Sequence, residues 1–297
     1  MSEKIQVNAY RDWTGLNMTN SYRKDHDTVN LTNVEDVVPD LHLLDIITDP
    51  TIQNTYSNDA GIDGSRFEYN ALEKTTITLK FYLEFSDYRD FLNKKHDIQA
   101  YWAAKAKFSI QTSYHPYIHA ACYLNKLEMK PTSDHICLFD IVLDNAFGMW
   151  FTDSTSFLQK NWDANMMRDL RAPTSLRKPS WDLHSGLNKV WIGGDVMSQF
   201  TNPVMNCTIR LDNPSNDSTR IYNKTTNTVL ETHGITNSGN TSNTWYWNNL
   251  NLTLDSGLPI NDISNATDFW LDPGWNEIEL SGASGGYLDV RFYYTNF

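Results

Sequence analysis

Thr75-Thr76-Ile77-Thr78-Leu79-Lys80-Phe81-Tyr82-Leu83-Glu84-Phe85 repeats with period two. Ile77, Leu79, Phe81, Leu83 and Phe85 fall on one side, and Thr76, Thr78, Lys80, Tyr82 and Glu84 on the other. Side chains alternate faces along an extended chain, so this is a β-strand with one buried face. The period then changes. Ser86 is placed to cap a helix, Asp87 and Asp90 lie in its first turn, and Tyr88, Phe91, Leu92, Lys95, Ile98 and Trp102 follow at helical spacing. Acidic groups favour a helix N-terminus, so one amphipathic helix is predicted over 86–105, ~30 Å long.

Strand patterns continue on the far side of the helix. They are predicted at 107–114, 117–129 and 135–145, the last two forming a hairpin around Pro131-Thr132-Ser133-Asp134. In 135–145 both faces are largely apolar, with Cys137, Phe139, Ile141 and Leu143 against Ile136, Leu138 and Val142, which predicts a central position in a sheet. Beyond residue 190 every pattern is β. Strands are expected near 204–211, 219–223, 227–232, 244–254, 276–280 and 286–295, separated by turns such as Asn213-Pro214-Ser215-Asn216-Asp217 and Asn237-Ser238-Gly239-Asn240. Short strands at regular spacing without a helical period argue for a sandwich.

Charge divides the chain. Residues 1–159 carry 14 basic and 22 acidic groups, 160–189 carry six and three, and 190–297 carry four and eleven. The basic middle holds Pro173 and Pro179 and loses periodicity after Met167. The expected organisation is therefore an N-terminal β domain over 1–155 with its helix at 86–105, a linker over 156–185, and a C-terminal sandwich over 186–297. The polar 14–40 segment is either an extended hairpin reaching a neighbouring subunit or a loop.

The net charge of −12 repels a phosphate backbone, so tight nucleic-acid binding is not expected. No run of ~18 apolar residues offers a membrane-spanning helix, and the N-terminal Met1-Ser2-Glu3-Lys4-Ile5-Gln6 shows no apolar core of a secretory signal. Cys122, Cys137 and Cys207 cannot all pair within one chain. If Lys130 faces His135 across the turn, Cys137 faces Glu128, and the separation from Cys122 is roughly 20 Å at ~3.3 Å per residue, beyond disulfide reach. Free thiols and synthesis in a reducing cytoplasm are expected.

Three constellations invite a chemical reading. His115, His119, Cys122, His135 and Cys137 are zinc-type ligands, but they fall on strands where Cys122 has opposite parity to His115 and His119, so ordinary strand residues are the expectation. Gly282-Ala283-Ser284-Gly285-Gly286 fits G-x-S-x-G, yet that motif needs a strand-to-helix turn and here joins two strands, which predicts a glycine hairpin turn. With no H-E-x-x-H, Walker or dinucleotide motif, neither an enzyme nor a cofactor or metal is expected. The third constellation is aromatic. If 245–254 is one unbroken strand, Trp245 and Trp247 share a polar face with Asn249, Asn251 and Thr253, an aromatic platform for a saccharide or a partner protein. If Asn248-Asn249 turns the chain, the parity resets and the rings are buried.

Taken in order, these elements resemble the distal tail protein (Dit) family of long, non-contractile-tailed bacteriophages. The resemblance is carried by Gly61-Ile62-Asp63-Gly64 before the strand Ile77–Glu84, by the single helix, and by Lys107-Phe108-Ser109-Ile110 opening the next strand. It continues in Cys137-Leu138-Phe139-Asp140-Ile141-Val142-Leu143 with the exit Gly148-Met149-Trp150-Phe151, and in Leu271-Asp272-Pro273-Gly274-Trp275-Asn276-Glu277-Ile278, Ser281-Gly282 and the aromatic C-terminus ending at Phe297. Residues 11–60 and 155–190 lie outside it. The resemblance implies a mainly β chain, with an N-terminal β-sandwich or split barrel bearing one α-helix and a C-terminal galectin-like β-sandwich. It implies a homo-hexameric ring in the virion, joining the tail tube protein to tail-tip or baseplate proteins and a receptor-binding protein, with a channel for DNA and no catalysis. A carbohydrate-binding, lectin-like module using Trp245, Trp247 and Asn249 is the competing expectation.

Overall fold

A computed structural model of the chain describes residues 6–12, 32–58, 63–152, 167–168, 170–172, 181–202, 205–215, 217–233, 244–249, 251–254 and 269–296. They fall in two compact units, drawn from Met1–Trp150 with Thr295–Phe297 and from Phe151–Tyr294. The expected linker lies mostly outside the described residues, as does the 14–31 part of the polar segment. The fold is mainly β, with one α-helix among the described residues and curled half-barrel sheets.

In the first unit the strands are β1 (Val7–Asp12), β2 (Thr32–Asn33), β3 (Leu41–Asp49), β4 (Ile52–Ser57), β5 (Arg66–Leu72) and β6 (Thr75–Glu84), then helix α1 (Tyr88–Trp102), then β7 (Lys107–Thr112), β8 (His115–Leu127) and β9 (Ile136–Asn145). The main sheet runs β2-β1-β7-β8-β9-β6-β3. β9 therefore sits between β8 and β6, as its two apolar faces predict. Leu79 pairs with Ile141 and Phe81 with Phe139, so the apolar face of β6 continues across β9, and the Phe81 and Phe139 rings stack at 5.5 Å.

The helix covers that face. Phe91, Ile98 and Trp102 are buried; Phe91 meets Phe85 at 5.1 Å and Trp102 meets Phe108 of β7 at 4.8 Å. Each such side chain contributes about 1.5–3 kcal/mol by leaving water. Tyr88 and Leu92, which share the expected helical spacing, remain 65% and 46% exposed. The helix begins one residue later than expected. Asp87 accepts from Asp90 N at 2.8 Å and Asp90 accepts from Ser86 N at 2.9 Å, a reciprocal cap in which a carboxylate rather than Ser86 takes the capping place.

β10 (Trp150–Thr152) starts on the last residue of the first unit's main segment; the second unit then holds β11 (Asp182–Ile192), β12 (Ser198–Gln199), β13 (Cys207–Asp212), β14 (Ser218–Asn223), β15 (Thr228–His233), β16 (Thr244–Asn248), β17 (Asn251–Leu254), β18 (Trp270–Leu271), β19 (Gly274–Val290) and β20 (Tyr293–Tyr294). Its larger sheet is ordered β15-β14-β19-β13-β16-β17, with β11 also on β19. Two corrections to the expected strands follow. β11 begins inside the stretch expected to be linker, and Trp181 before it is buried with its indole N–H donating to Trp191 O at 2.8 Å. The expected strands 276–280 and 286–295 are not joined by a glycine turn. β19 runs unbroken through Gly282–Gly286; β11 pairs with it from Gly274 to Tyr287, while its other edge passes from β14 at Ile278–Ser281 to β13 at Gly285–Val290.

Candidate assembly surface

Trp245, Trp247 and Asn249 do not form a surface platform. Asn249 adopts φ 51° and turns the chain, so that Trp247 pairs with Leu252 and Trp245 with Leu254 across a hairpin. Parity resets at this turn and both rings share the apolar face of β17. Trp245 is 1% and Trp247 0% exposed. Asn249 holds the turn in place, accepting from Cys207 N at 3.2 Å and donating to Asn202 O at 3.2 Å and Met205 O at 3.0 Å. The lectin-like reading loses its platform with these rings. An exposed tryptophan does exist in this unit, Trp275, 39% exposed with Lys189 Nζ 5.6 Å from its ring centroid. Sequence reasoning did not single it out, although strict alternation with the buried Asn276, Ile278 and Leu280 puts it on the outer face of β19 with Glu277.

The chemical candidates resolve into structure. Cys122, Cys137 and Cys207 are free and buried. Burial pushes the Cys122 and Cys207 thiols far above their usual range, which keeps them protonated and unreactive. Cys137 Sγ donates to Lys130 O at 3.1 Å, and His135 Nδ1 lies 3.2 Å from Phe85 O. Among the described residues no three His, Cys, Asp or Glu side chains gather to hold a metal. Ser284 Oγ donates to the Asp212 carbonyl at 2.9 Å and accepts from Asn213 Nδ2 at 3.0 Å, both structural partners.

The feature of the first unit that does not serve its own core is the ribbon β4–β5. It continues the β3–β6 pair outward: Glu73 N donates to Thr51 O at 3.0 Å, then Ile52 pairs with Leu72 and the ladder runs to Ser57 opposite Arg66. Its pairing is separate from the main sheet. At ~3.3 Å per residue the ribbon projects about 20 Å. Cross-strand partners share a face, so Ile52 and Leu72, Asn54 and Asn70, and Tyr56 and Phe67 lie together. The register shift between Thr55 and Tyr56 accommodates Glu68 as an extra residue and returns Phe67 to the side of Tyr56. Their rings meet edge to face at 5.9 Å. Yet Ile52 is 54%, Tyr56 57%, Phe67 51% and, on the opposite face, Tyr69 59% exposed. A protruding ribbon that leaves this many apolar side chains in water is a candidate interaction site.

A second exposed apolar surface lies at the other end of the same strands. Tyr82 pairs with His42 on one side and Leu138 on the other, on the sheet face opposite the helix. The His42 and Tyr82 rings stack at 6.0 Å, Leu138 is 50% exposed, and Leu44, at the irregularity in β3, is 60% exposed. No side chain was assigned to either surface from sequence.

No protein-family model and no curated protein matches the chain. Solved structures do. The phage p2 baseplate in its activated conformation with strontium contains a chain 9% identical that aligns over 97% of this chain and 98% of that one, with a TM-score of 0.39. SPP1 Dit, described as a paradigm of the hub adsorption apparatus in phages infecting Gram-positive bacteria, is 11% identical with a TM-score of 0.57. That alignment covers 96% of this chain and 99% of that one, so the chain shares the fold of SPP1 Dit from end to end.

Proposed function

We propose that this chain is a distal tail protein of a bacteriophage: a structural hub whose copies form a six-membered ring between the tail tube and the tail tip or baseplate, leaving a channel for DNA. The observation that carries the proposal is the similarity to SPP1 Dit over nearly the whole length of both chains, in both units rather than in one common domain. In this reading the protein is made in the host cytoplasm, resides in the virion, and has as partners its own copies, the tail tube protein, tip or baseplate proteins and a receptor-binding protein. Residues from about 1–155 supply the ring contacts. The ribbon β4–β5 supports this, because surface that is apolar and exposed in one chain is covered in an assembly. The work is mechanical, and the buried, protonated cysteines and the structurally engaged Ser284 offer no reaction to add to it. Light scattering on the purified protein tests the proposal: the expected mass is six times the 34.2 kDa of one chain, and a monomer at micromolar concentration overturns it.

Charge bears on the channel. With a net −12 per chain, an assembled ring repels duplex phosphates, whereas a basic wall would hold each passing segment by counterion release. The assembled protein is expected to show no retardation of duplex DNA in a gel at low salt. A tight complex that weakens as salt rises would count against a conduit.

A further inference from the structure

Two loops of the second unit are built alike. In His184-Ser185-Gly186-Leu187-Asn188 and in Asp272-Pro273-Gly274-Trp275-Asn276 the glycine has φ 94° and 95°, and the closing asparagine turns inward. Asn188 Oδ1 accepts from His184 N at 2.8 Å while its Nδ2 donates to His184 O and Gly186 O. Asn276 Oδ1 accepts from Asp272 N at 3.1 Å while its Nδ2 donates to Asp272 O and Gly274 O. Successive strand residues point to opposite faces, so each buried clamp turns the side chain before it outward. These are Leu187, 60% exposed, and Trp275.

Both clamps serve one surface. β11 pairs with β19 so that Leu187 lies opposite Glu279 and Lys189 opposite Glu277, and cross-strand partners share a face. The result is a row about 13 Å long at ~3.3 Å per residue, with Trp275 at one end, Leu187 at the other and Glu277, Lys189 and Glu279 between them. Most charges on this sheet face are already matched. Lys224 Nζ pairs with Glu279 at 2.8 Å and Arg220 with Glu231 at 3.6 Å. Lys189 turns from its neighbour Glu277 toward the Trp275 ring, and the exposed Glu277 carboxylate makes no ion pair or hydrogen bond with a described residue. One acid and one base are left over, a balance that attracts neither a polyanion nor a polycation. A protein partner fits poorly as well. Interface cores are depleted of charge and cover roughly 800 Å² per partner, whereas here two apolar side chains are parted by charged ones.

A neutral sugar matches what remains. The indole face is negative and meets the C–H bonds of a pyranose ring, and a carboxylate without a partner accepts charge-assisted hydrogen bonds from neighbouring hydroxyls. Trp275 and Glu277 stand about 6.6 Å apart on one face, so a single ring can meet both. We propose that Trp275 and Glu277, flanked by Lys189 and Leu187, form a binding site for a neutral oligosaccharide. The site lies within the second unit and needs no second copy, so it goes beyond the hub reading and stands whether or not a ring forms.

An array of immobilised glucose, galactose, N-acetylglucosamine and rhamnose oligomers, with poly(glycerol phosphate) as the charged probe, tests it on the full chain. At least one neutral oligomer is expected to retain the protein and to compete when free in solution, and poly(glycerol phosphate) to retain none. Trp275→Ala and Glu277→Gln are each expected to weaken retention at least tenfold, while Trp275→Tyr, which keeps a flat ring, holds most of it. Thermal unfolding checks that the variants are folded. If Trp275→Ala does not fold, Glu277→Gln decides alone, since its position is exposed. Retention by no neutral oligomer overturns the proposal, as does parent-like retention of Glu277→Gln or of a folded Trp275→Ala. Retention by poly(glycerol phosphate) alone overturns it in favour of a polyanion. Light scattering on the same sample keeps the two readings apart, because a monomer that retains a sugar overturns the ring and supports the site.

Discussion

Trp247→Ala is expected to lower the global unfolding free energy by about 3–5 kcal/mol, as truncation of a buried aromatic does when its cavity cannot collapse. The ring is 0% exposed, between Ile209 of β13 and Leu252 of β17 along the sheet. Trp245 occupies the same setting between Leu211 and Leu254 and is 1% exposed, so Trp245→Ala belongs to the same range. A third variant separates packing from polarity. The Trp247 indole N–H is buried without a hydrogen-bond partner among the described residues. Trp247→Phe removes that unsatisfied donor and keeps an aromatic ring, and a buried donor left unmade costs about 1–3 kcal/mol. The phenylalanine variant should therefore recover most of what alanine loses. Urea unfolding of the full chain reads all three. A loss below about 1 kcal/mol in both alanine variants would place the rings at the surface and restore an exposed platform.

The same hairpin shows how far sequence reasoning reaches. The alternation around Trp245 and Trp247 was legible, but whether it continued past Asn249 was not, because one residue at positive φ exchanges the two faces of everything after it. Where a strand is long and its inner face covered, as in β6 and β9, the period alone predicts both existence and place. The helix was equally plain, though its stripe overcounted the core: Tyr88 and Leu92 obey the spacing and stay exposed.

β11 was hidden for two reasons. Its register shifts between His184 and Gly186, where Asn188 fills the irregularity by donating to His184 O and Gly186 O. Its sequence also lies beside a basic, proline-bearing stretch that reads as linker. The exposed ribbon β4–β5 was the least legible part. Ile52-Gln53-Asn54-Thr55-Tyr56-Ser57 has too few apolar residues to announce a strand, because neither face of the ribbon is buried in its own unit. A strand with no buried face leaves a weak imprint on the periodicity of its chain. The exposed Leu138 on the outer face of β9 was absorbed in the same way into the argument that β9 is central.

Gly282→Ala is expected to cost at least about 2 kcal/mol, whereas Ser284→Ala two residues away should stay within about 1 kcal/mol. Gly282 has φ 75°, a left-handed conformation that costs an L side chain about 1–2 kcal/mol. A Cβ there would also overlap the Ser218 carbonyl oxygen and stand 2.8 Å from Thr219 Cα, both backbone atoms that cannot swing aside. Their positions are held in turn, since the Gly282 carbonyl accepts from Thr219 Oγ1 at 3.0 Å and from Ser215 N. Further along, a Cβ on Gly286 would overlap the Arg210 carbonyl oxygen of β13. These glycines are required by close backbone approach where β19 changes partners, and not by a hairpin or by a strained nucleophile. Ser284 is exposed and loses two surface hydrogen bonds when truncated, a small net term in water. Thermal unfolding of the two single variants in the full chain compares them directly. If Gly282→Ala proved as well tolerated as Ser284→Ala, close backbone approach to Ser218 would not be what requires glycine there, and the glycine hairpin turn expected from the sequence would regain its place.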